Sequence, residues 1–228
     1  MVLLKDVKMK YPGSRAETLR DIDLTIQDGE FVFLVGPSGS GKTTIIKLLT
    51  GEIRATGGQI EVNGFDLRTM KRRNLPKLRR SLGVIFQDYR LIKDMTVYEN
   101  VAFAMRVIGA SNREIKKRVP YVLDLVDLSG REDRYPRELS GGERRVAIAR
   151  ALVNSPDMII ADEPTGNLDP ARSLEIMLLF QKINELGTTV LIVTHEKELV
   201  NAFSKRVVSL SDGCLISDGM DGYYGYES

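Results

Sequence analysis

The chain has 228 residues, of which 43% are hydrophobic and 28% are charged, and its formal net charge is only +2. These proportions are those of an ordinary folded protein, so they exclude a disordered or collagen-like chain. A net charge this close to zero also argues against a dedicated nucleic-acid-binding protein, because such proteins need a strongly basic face.

Short apolar runs alternate with helical patterns along most of the chain. We predict strands at residues 2–11, 19–26, 31–35, 59–63, 82–86, 158–161 and 189–193, and helices at 42–50, 171–186 and 196–203. The runs at 31–35, 82–86, 158–161 and 189–193 are continuously apolar, which is typical of strands buried on both faces of a parallel sheet. Strands that alternate with helices predict an α/β fold.

The segment from residue 89 to residue 154 has an almost wholly helical pattern. Its two apolar stripes are formed by Val97, Val101, Met105 and Ile108, and by Ile115, Val119, Val122 and Val126. Pro120 lies inside the second stripe, so we expect a kink or a break there. We predict one domain over residues 1–228, with an α/β core at 1–88 and 155–228 and a helical insert at 89–154.

A phosphate-binding pattern follows the strand predicted at 31–35. Residues 36–43 match G-x-x-x-x-G-K-[ST], a loop whose glycines let backbone N–H groups surround phosphates at a helix N-terminus. Lys42 would contact the β- and γ-phosphates, and Thr43 would offer its hydroxyl to Mg²⁺. The candidate residues for binding the phosphates of a nucleotide here are Gly36, Pro37, Ser38, Gly39, Ser40, Gly41, Lys42, Thr43 and Thr44.

Two adjacent carboxylates, Asp162 and Glu163, end the strand predicted at 158–161. Charges at the end of a buried strand are costly unless a partner neutralises them. Asp162 suits Mg²⁺, usually through a water molecule, and Glu163 is then placed to orient or deprotonate an attacking water. The phosphate loop and this pair together predict a nucleotide-hydrolysing site.

The segment 139–143, Leu-Ser-Gly-Gly-Glu, lies between the phosphate loop and the carboxylate pair. With this segment, the chain strongly resembles the ATP-binding-cassette (ABC) ATPases over essentially its whole length. The resemblance implies a P-loop NTPase fold with a RecA-like core, an antiparallel β subdomain and an inserted helical subdomain. It also implies that the chain binds and hydrolyses ATP with Mg²⁺.

The resemblance assigns roles to residues on the chain's own ATP. It places the Tyr11 ring against the adenine and Gln87 beside Mg²⁺ and the attacking water. His195, the only histidine of the sequence, would contact the γ-phosphate and Glu163. The candidate Mg²⁺ ligands are therefore Thr43, Gln87 and Asp162.

Other residues are assigned by the resemblance to a second copy of the chain, in a homodimer that forms when ATP binds. Ser140 and Gly142 would donate to the γ-phosphate held by that copy, and Asp169 would lie in the loop that crosses to it.

The segment 139–143 and the residues after it depart from the family pattern in one respect. Two residues separate Glu143 from Val146, where the family has three. One residue of an α-helix corresponds to ~100° of rotation. Unless a later helix start or a local distortion compensates for the missing residue, Ser140 and Gly142 would point away from the nucleotide of the second copy.

Within the family, residues 86–91, 95–101, 105–109 and 162–169 look most like the ATPases of bacterial cell division. These work with an FtsX-like integral membrane protein to regulate peptidoglycan hydrolysis, which implies a peripheral location at the cytoplasmic face of the cell membrane. The single cysteine and the lack of a long apolar run or signal peptide agree with that location. The partner would dock around residues 87–95, and no nucleic acid is expected as a partner.

Two alternatives stay open for the function. An ATPase subunit of a lipoprotein-release or export transporter would use the same site chemistry with a different membrane partner. From another class, the chain would be a weakly hydrolysing or non-hydrolysing ATP-gated clamp or scaffold. The run 71–80, with six basic residues and no acidic one, is interpreted as a solvated helix face rather than a surface for nucleic acid or anionic lipid.

Overall fold

The computed structural model describes residues 1–139 and 141–220, which contain ten strands and seven α-helices. The strands are β1 Val2–Met9, β2 Leu19–Ile26, β3 Phe31–Val35, β4 Gly57–Val62, β5 Phe65–Asp66, β6 Leu82–Ile85, β7 Met158–Asp162, β8 Thr189–Thr194, β9 Arg206–Ser211 and β10 Cys214–Gly219. The helices are α1 Lys42–Leu49, α2 Leu75–Arg80, α3 Val97–Val107, α4 Asn112–Leu125, α5 Gly142–Leu152, α6 Pro170–Glu185 and α7 Lys197–Ala202.

The central sheet has the strand order β10-β9-β3-β8-β7-β6. Strands β9, β3, β8, β7 and β6 run parallel to one another, and β10 is antiparallel to β9. All four continuously apolar runs are strands of this sheet, as predicted. Because they are parallel, β3, β8, β7 and β6 present their carboxyl ends at one edge, where α/β proteins bind ligands.

A second sheet, β2-β1-β4-β5, is antiparallel throughout. Buried and exposed residues partly alternate along its strands, since one face packs on the core and the other meets solvent. The two sheets confirm the predicted fold class of an α/β core with an antiparallel β subdomain.

The two faces of the central sheet belong to two different hydrophobic clusters. Phe33 and Val35 of β3 join the cluster that includes helices α3 to α6. Val32 and Leu34 join the cluster between the two sheets, which also holds α1. Because successive strand residues point to opposite faces, β3 has to be apolar at every position, and each of its five residues is buried.

Helices α3, α4 and α5 follow one another without an intervening strand, which supports the proposed division into a core and a helical insert. Thr96 and Ser111 begin α3 and α4 with capping boxes. Of the kink or break predicted at Pro120, the break does not occur, because α4 continues through Pro120 to Leu125. Pro120 is exposed, so water can reach the carbonyl group that loses its helical partner.

Candidate active site

The predicted site residues converge at the carboxyl edge of the central sheet. The phosphate loop follows β3, Gln87 follows β6, Asp162 ends β7 and His195 follows β8. A cavity of about 630 Å³ lies at this edge, lined by Thr18, Pro37, Ser38, Gly39, Gly41, Lys42, Thr43, Thr44, Gln87, Asp162, Glu163 and His195. The volume lies in the range of small-molecule sites.

Glycine is required at Gly36, the first residue of the phosphate loop. Its φ is +151°, and a Cβ atom built there would lie 2.1 Å from the Leu210 carbonyl oxygen and 2.8 Å from Ser40 Oγ. Gly41, at φ +111°, is the N-cap of α1, so the loop leads directly into the helix N-terminus. The backbone therefore has the conformation in which N–H groups and the helix dipole favour an anion.

Lys42 lies inside the phosphate loop. Its Nζ donates to the carbonyl oxygens of Gly36, at 2.7 Å, and Pro37, at 2.9 Å. Partial burial lowers the pKa of the Lys42 amine, while the nearby Glu163 and Asp162 carboxylates oppose that shift. The amine is thus a cation between loop carbonyls and the carboxylate pair, a position suited to a phosphate group.

The carboxylate pair is partly withdrawn from solvent. Burial raises the pKa of the Asp162 carboxyl, the Glu163 charge raises it further, and Lys42 lowers it. Glu163 has φ +49°, and its N–H donates to the Val193 carbonyl at 2.8 Å, which fixes its backbone against β8. The fold therefore holds two like charges side by side, which is costly without a cationic ligand.

Glu163 and His195 form the central polar contact of the site. Glu163 Oε1 lies 2.7 Å from His195 Nδ1, whereas Glu163 Oε2 is buried and receives no hydrogen bond from any described residue. The His195 side chain is 67% exposed and the Glu163 side chain 13%. His195 can therefore orient one oxygen of Glu163 and leave the other for a water molecule.

Asp162→Asn is expected to raise the melting temperature of the nucleotide-free protein near neutral pH. The fold raises the pKa of the Asp162 carboxyl above its ordinary value of 3.8. Ionisation of this carboxyl therefore lowers the stability of the wild-type fold as the pH rises, and below pH 3.8 this loss is absent. The gain from the amide should therefore vanish in acid. Melting curves across this pH range, with the exposed Asp94→Asn as the control, measure the difference. Equal melting temperatures of Asp162→Asn and wild type at neutral pH would contradict the expectation.

Tyr11 and two residues of the phosphate loop, Gly36 and Ser40, do not line the cavity. The Tyr11 hydroxyl lies 3.2 Å from Thr44 Oγ1, and its ring borders a neighbouring groove with Pro12 and Glu17. Gly36 and Ser40 are buried beneath the loop. Stacking of Tyr11 on adenine stays a prediction.

Of the residues assigned to a second copy, Gly142 and Asp169 do not line the cavity. Ser140 is outside the described residues, and Gly142 is the first residue of α5, buried against Leu139. Helix α5 runs uninterrupted from Gly142 to Leu152, so no distortion within it absorbs the missing residue. Asp169 caps α6 by accepting a 3.0 Å hydrogen bond from the Arg172 N–H, and its side chain is 52% exposed.

Sequence reasoning missed several residues around the site. Thr18 lines the cavity, and Thr165 donates to Glu196 at 2.6 Å beside the carboxylate pair. Two arginines of α5, Arg144 and Arg150, bind the loops that carry Glu163 and Gln87. These contacts join residues far apart in the chain, so no local pattern indicates them.

Comparisons with known proteins agree with this geometry. The sequence profile of the ABC transporter family matches residues 19–166. The chain is 50% identical to the Cell division ATP-binding protein FtsE of Bacillus subtilis (strain 168), over 99% of both chains. It is 50% identical to the FtsE of Mycobacterium tuberculosis, over 100% of this chain and 99% of that relative. The dimeric post-hydrolysis structure of the cassette MJ0796, bound to ADP and Pi, has a TM-score of 0.85 and 34% identity, over 99% of this chain and 100% of that one.

Proposed function

This chain belongs to the ABC transporter family, and we propose that it is the ATP-hydrolysing subunit of an FtsEX-type complex of bacterial cell division. One observation carries the proposal. The phosphate loop, the Asp162–Glu163 pair, Gln87 and His195 line one cavity at the edge of a parallel sheet, in a chain that is 50% identical to FtsE over nearly its full length. ATP hydrolysis is the activity of the family, and this site contains the groups that the reaction needs.

The proposed hydrolysis divides its tasks among the residues of the cavity. The phosphate-loop N–H groups and Lys42 bind the β- and γ-phosphates and stabilise the charge that develops on the transferred group. Glu163 orients the attacking water through Oε2 and accepts its proton. His195 holds Glu163 through Oε1 and lies exposed at the mouth of the cavity, where it contacts the γ-phosphate.

The donor set also fits Mg²⁺, which we include in the proposal as the cofactor. Thr43, Gln87 and Asp162 supply a hydroxyl, an amide oxygen and a carboxylate, all oxygen ligands of the kind that Mg²⁺ prefers. Burial and the Glu163 charge raise the pKa of the Asp162 carboxyl, so a cation beside it would offset the cost of holding it ionised. When bound, the ion would neutralise part of the negative charge on the phosphates of ATP.

A complete site is proposed to require a second copy of the chain. The first residue of α5, Gly142, and the half-exposed Asp169 lie outside the cavity, so neither reaches the ATP of its own subunit from there. ATP bound between two subunits would favour the closed dimer through contacts that the open state lacks. The dimeric assembly of MJ0796 supports this arrangement.

An apolar groove beside the site is the proposed docking position for an FtsX-like membrane protein. Phe86, one residue before Gln87, lines this groove of about 640 Å³, as do the exposed Phe103 and Val107 of α3. Arg72 and Arg79 lie at its border. None of the described helices is long and apolar enough to span a bilayer. Membrane attachment is therefore assigned to the partner, at the cytoplasmic face.

Val107→Asp is expected to lower co-purification of the integral membrane partner at least about tenfold, because it places a charge in a surface that must become dry on binding. ATP turnover of the isolated chain should stay unchanged. The matched control is Leu178→Asp, an exposed leucine on α6, away from the groove. The partner is captured on the tagged wild-type chain from native membranes and identified by mass spectrometry.

The identity of the captured protein tests the cell-division assignment directly. An FtsX-like protein supports it. A permease that carries lipoprotein or an exported substrate would overturn it in favour of a transporter subunit. Equal capture by Val107→Asp and Leu178→Asp would overturn the docking position.

A further inference from the structure

Two loops of the proposed catalytic site are held by one helix, α5. The first loop follows β7 and runs from Glu163 to Asp169. The second follows β6 and contains Gln87, Tyr89 and Arg90. Both receive arginine side chains from α5, which begins at the segment assigned to the second subunit's ATP.

The loop after Glu163 is a turn closed by its own backbone hydrogen bonds and bound by one arginine of α5. Inside the turn, the Gly166 N–H donates to the Glu163 carbonyl at 3.1 Å, and the Leu168 N–H donates to the Thr165 carbonyl at 3.1 Å. The Gly166 carbonyl oxygen accepts a hydrogen bond from the Arg144 guanidinium. Arg144 thus holds the turn three residues after Glu163.

The loop after Gln87 is held by two arginines of the same helix. Tyr89 and Arg90 both have left-handed backbones, with φ of +53° and +47°. Their carbonyl oxygens accept hydrogen bonds from Arg150, at 2.5 Å and 2.6 Å. The Arg144 guanidinium also lies 5.1 Å from the centre of the Tyr89 ring, within the range of a cation–π contact. Arg144 therefore contacts both loops at once.

We propose that Arg144 is a positioning residue, which sets the placement of Glu163 relative to Gln87 and couples it to the N-terminus of α5. The helix begins at Gly142, two residues before Arg144. Contact between this N-terminus and the ATP of a second subunit moves or immobilises α5. The hydrogen bond from Arg144 transmits that change to the turn at Gly166. The ATP bound at one site then affects the placement of Glu163 at the other site. The inference rests on the proposed roles of Glu163 and Gln87.

The neighbouring residue, Arg145, provides a matched control. It is an arginine on the same helix, with comparable burial, and it forms ion pairs with Asp127 at 2.7 Å and Glu175 at 3.0 Å. Its third acceptor is the Val126 carbonyl, at 3.1 Å. None of these partners lies in the two catalytic loops. Arg145→Gln therefore removes three contacts, at least as many as Arg144→Gln, without touching the loops.

Arg144→Gln is expected to lower kcat for ATP about tenfold, with KM for ATP and ATP-driven dimerisation unchanged within about twofold, because only the placement of groups is disturbed. Arg144→Lys should give an intermediate kcat, since an ammonium reaches the Gly166 carbonyl but does not stack on Tyr89. Arg145→Gln should lower the melting temperature and keep kcat within about twofold of the wild type. A kcat of Arg144→Gln equal to that of the wild type or of Arg145→Gln would overturn the inference.

Hydrogen–deuterium exchange supplies a measurement that needs no turnover. Amides in the 163–169 loop should exchange faster in Arg144→Gln and at the wild-type rate in Arg145→Gln, because Arg144 binds that loop and Arg145 does not. Unchanged exchange in Arg144→Gln would overturn the inference even if kcat falls. A wild-type chain without turnover would instead contradict the proposed catalytic roles, and the exchange rates would still decide whether Arg144 positions the loop.

Discussion

Glu163→Gln is expected to lower ATP turnover at least about 100-fold and to leave ATP affinity nearly unchanged. The amide has the size of the carboxylate and keeps an oxygen for His195, but it cannot accept a proton from the attacking water. Bound ATP should then persist, so the variant should accumulate as an ATP-bound dimer. Phosphate release measures the rate, and gel filtration with and without ATP measures the dimer.

The control for this experiment is Glu198→Gln, the same chemical change on α7. Glu198 is exposed and does not line the cavity, so turnover should equal that of the wild type. If Glu163→Gln and the wild type hydrolyse ATP at the same rate while both bind it, the ATP-gated clamp becomes the better interpretation. Measuring both variants with the membrane partner present tests whether docking activates the same carboxylate.

Gly36→Ala is expected to lower the free energy of unfolding by about 2–4 kcal/mol, since it combines a strained backbone with a steric overlap. At φ +151° the added methyl carbon would lie 2.1 Å from the Leu210 carbonyl oxygen, which belongs to β9 and cannot yield independently. A change of this size should shift the melting temperature by roughly 5–15 °C in a domain of this length. ATP affinity should also fall, because the loop must move away from β9.

Gly39→Ala is the comparison within the same loop. Gly39 also has a positive φ, +80°, but nothing lies within 4 Å of the position that its Cβ would occupy. Only the backbone strain remains, about 1 kcal/mol. Melting curves of the nucleotide-free proteins separate the two effects. Equal destabilisation by the two alanines would mean that the Leu210 contact contributes nothing.

Much of the fold could be predicted from the sequence where local pattern and tertiary burial agree. The strands β2 and β3 have the predicted bounds, because alternation and continuous apolarity directly reflect one or two buried faces. Strands β9 and β10 were missed. Strand β9 becomes a central strand only through its pairing with β3, some 170 residues earlier, and no local signal indicates that partner.

The features of the site also fall into two groups: those that a local sequence pattern indicates and those that only the folded structure brings together. The phosphate loop and the Asp162–Glu163 pair are continuous in sequence, so their residue types and spacing were enough to predict them, and the parallel sheet brings them to one cavity. The contact of Arg144 with Gly166 spans 22 residues and depends on how α5 packs, so the sequence did not indicate it. Asp169 was assigned to the dimer contact, and its hydrogen bond at the start of α6 was not predicted, although an Asp just before a helix is a local N-cap pattern.

The position of β3 in the sheet also determines when the site is completed during synthesis. Its hydrogen-bonded neighbours are β8 and β9, which begin at Thr189 and Arg206. The phosphate-loop sequence leaves the ribosome early, but the strands that hold it in place follow more than 150 residues later, and contacts of such separation form slowly. A nascent chain that ends before β8 contains the phosphate loop but lacks both strands that pair with β3. We therefore expect the chain to bind its nucleotide only after β8 and β9 have been synthesised.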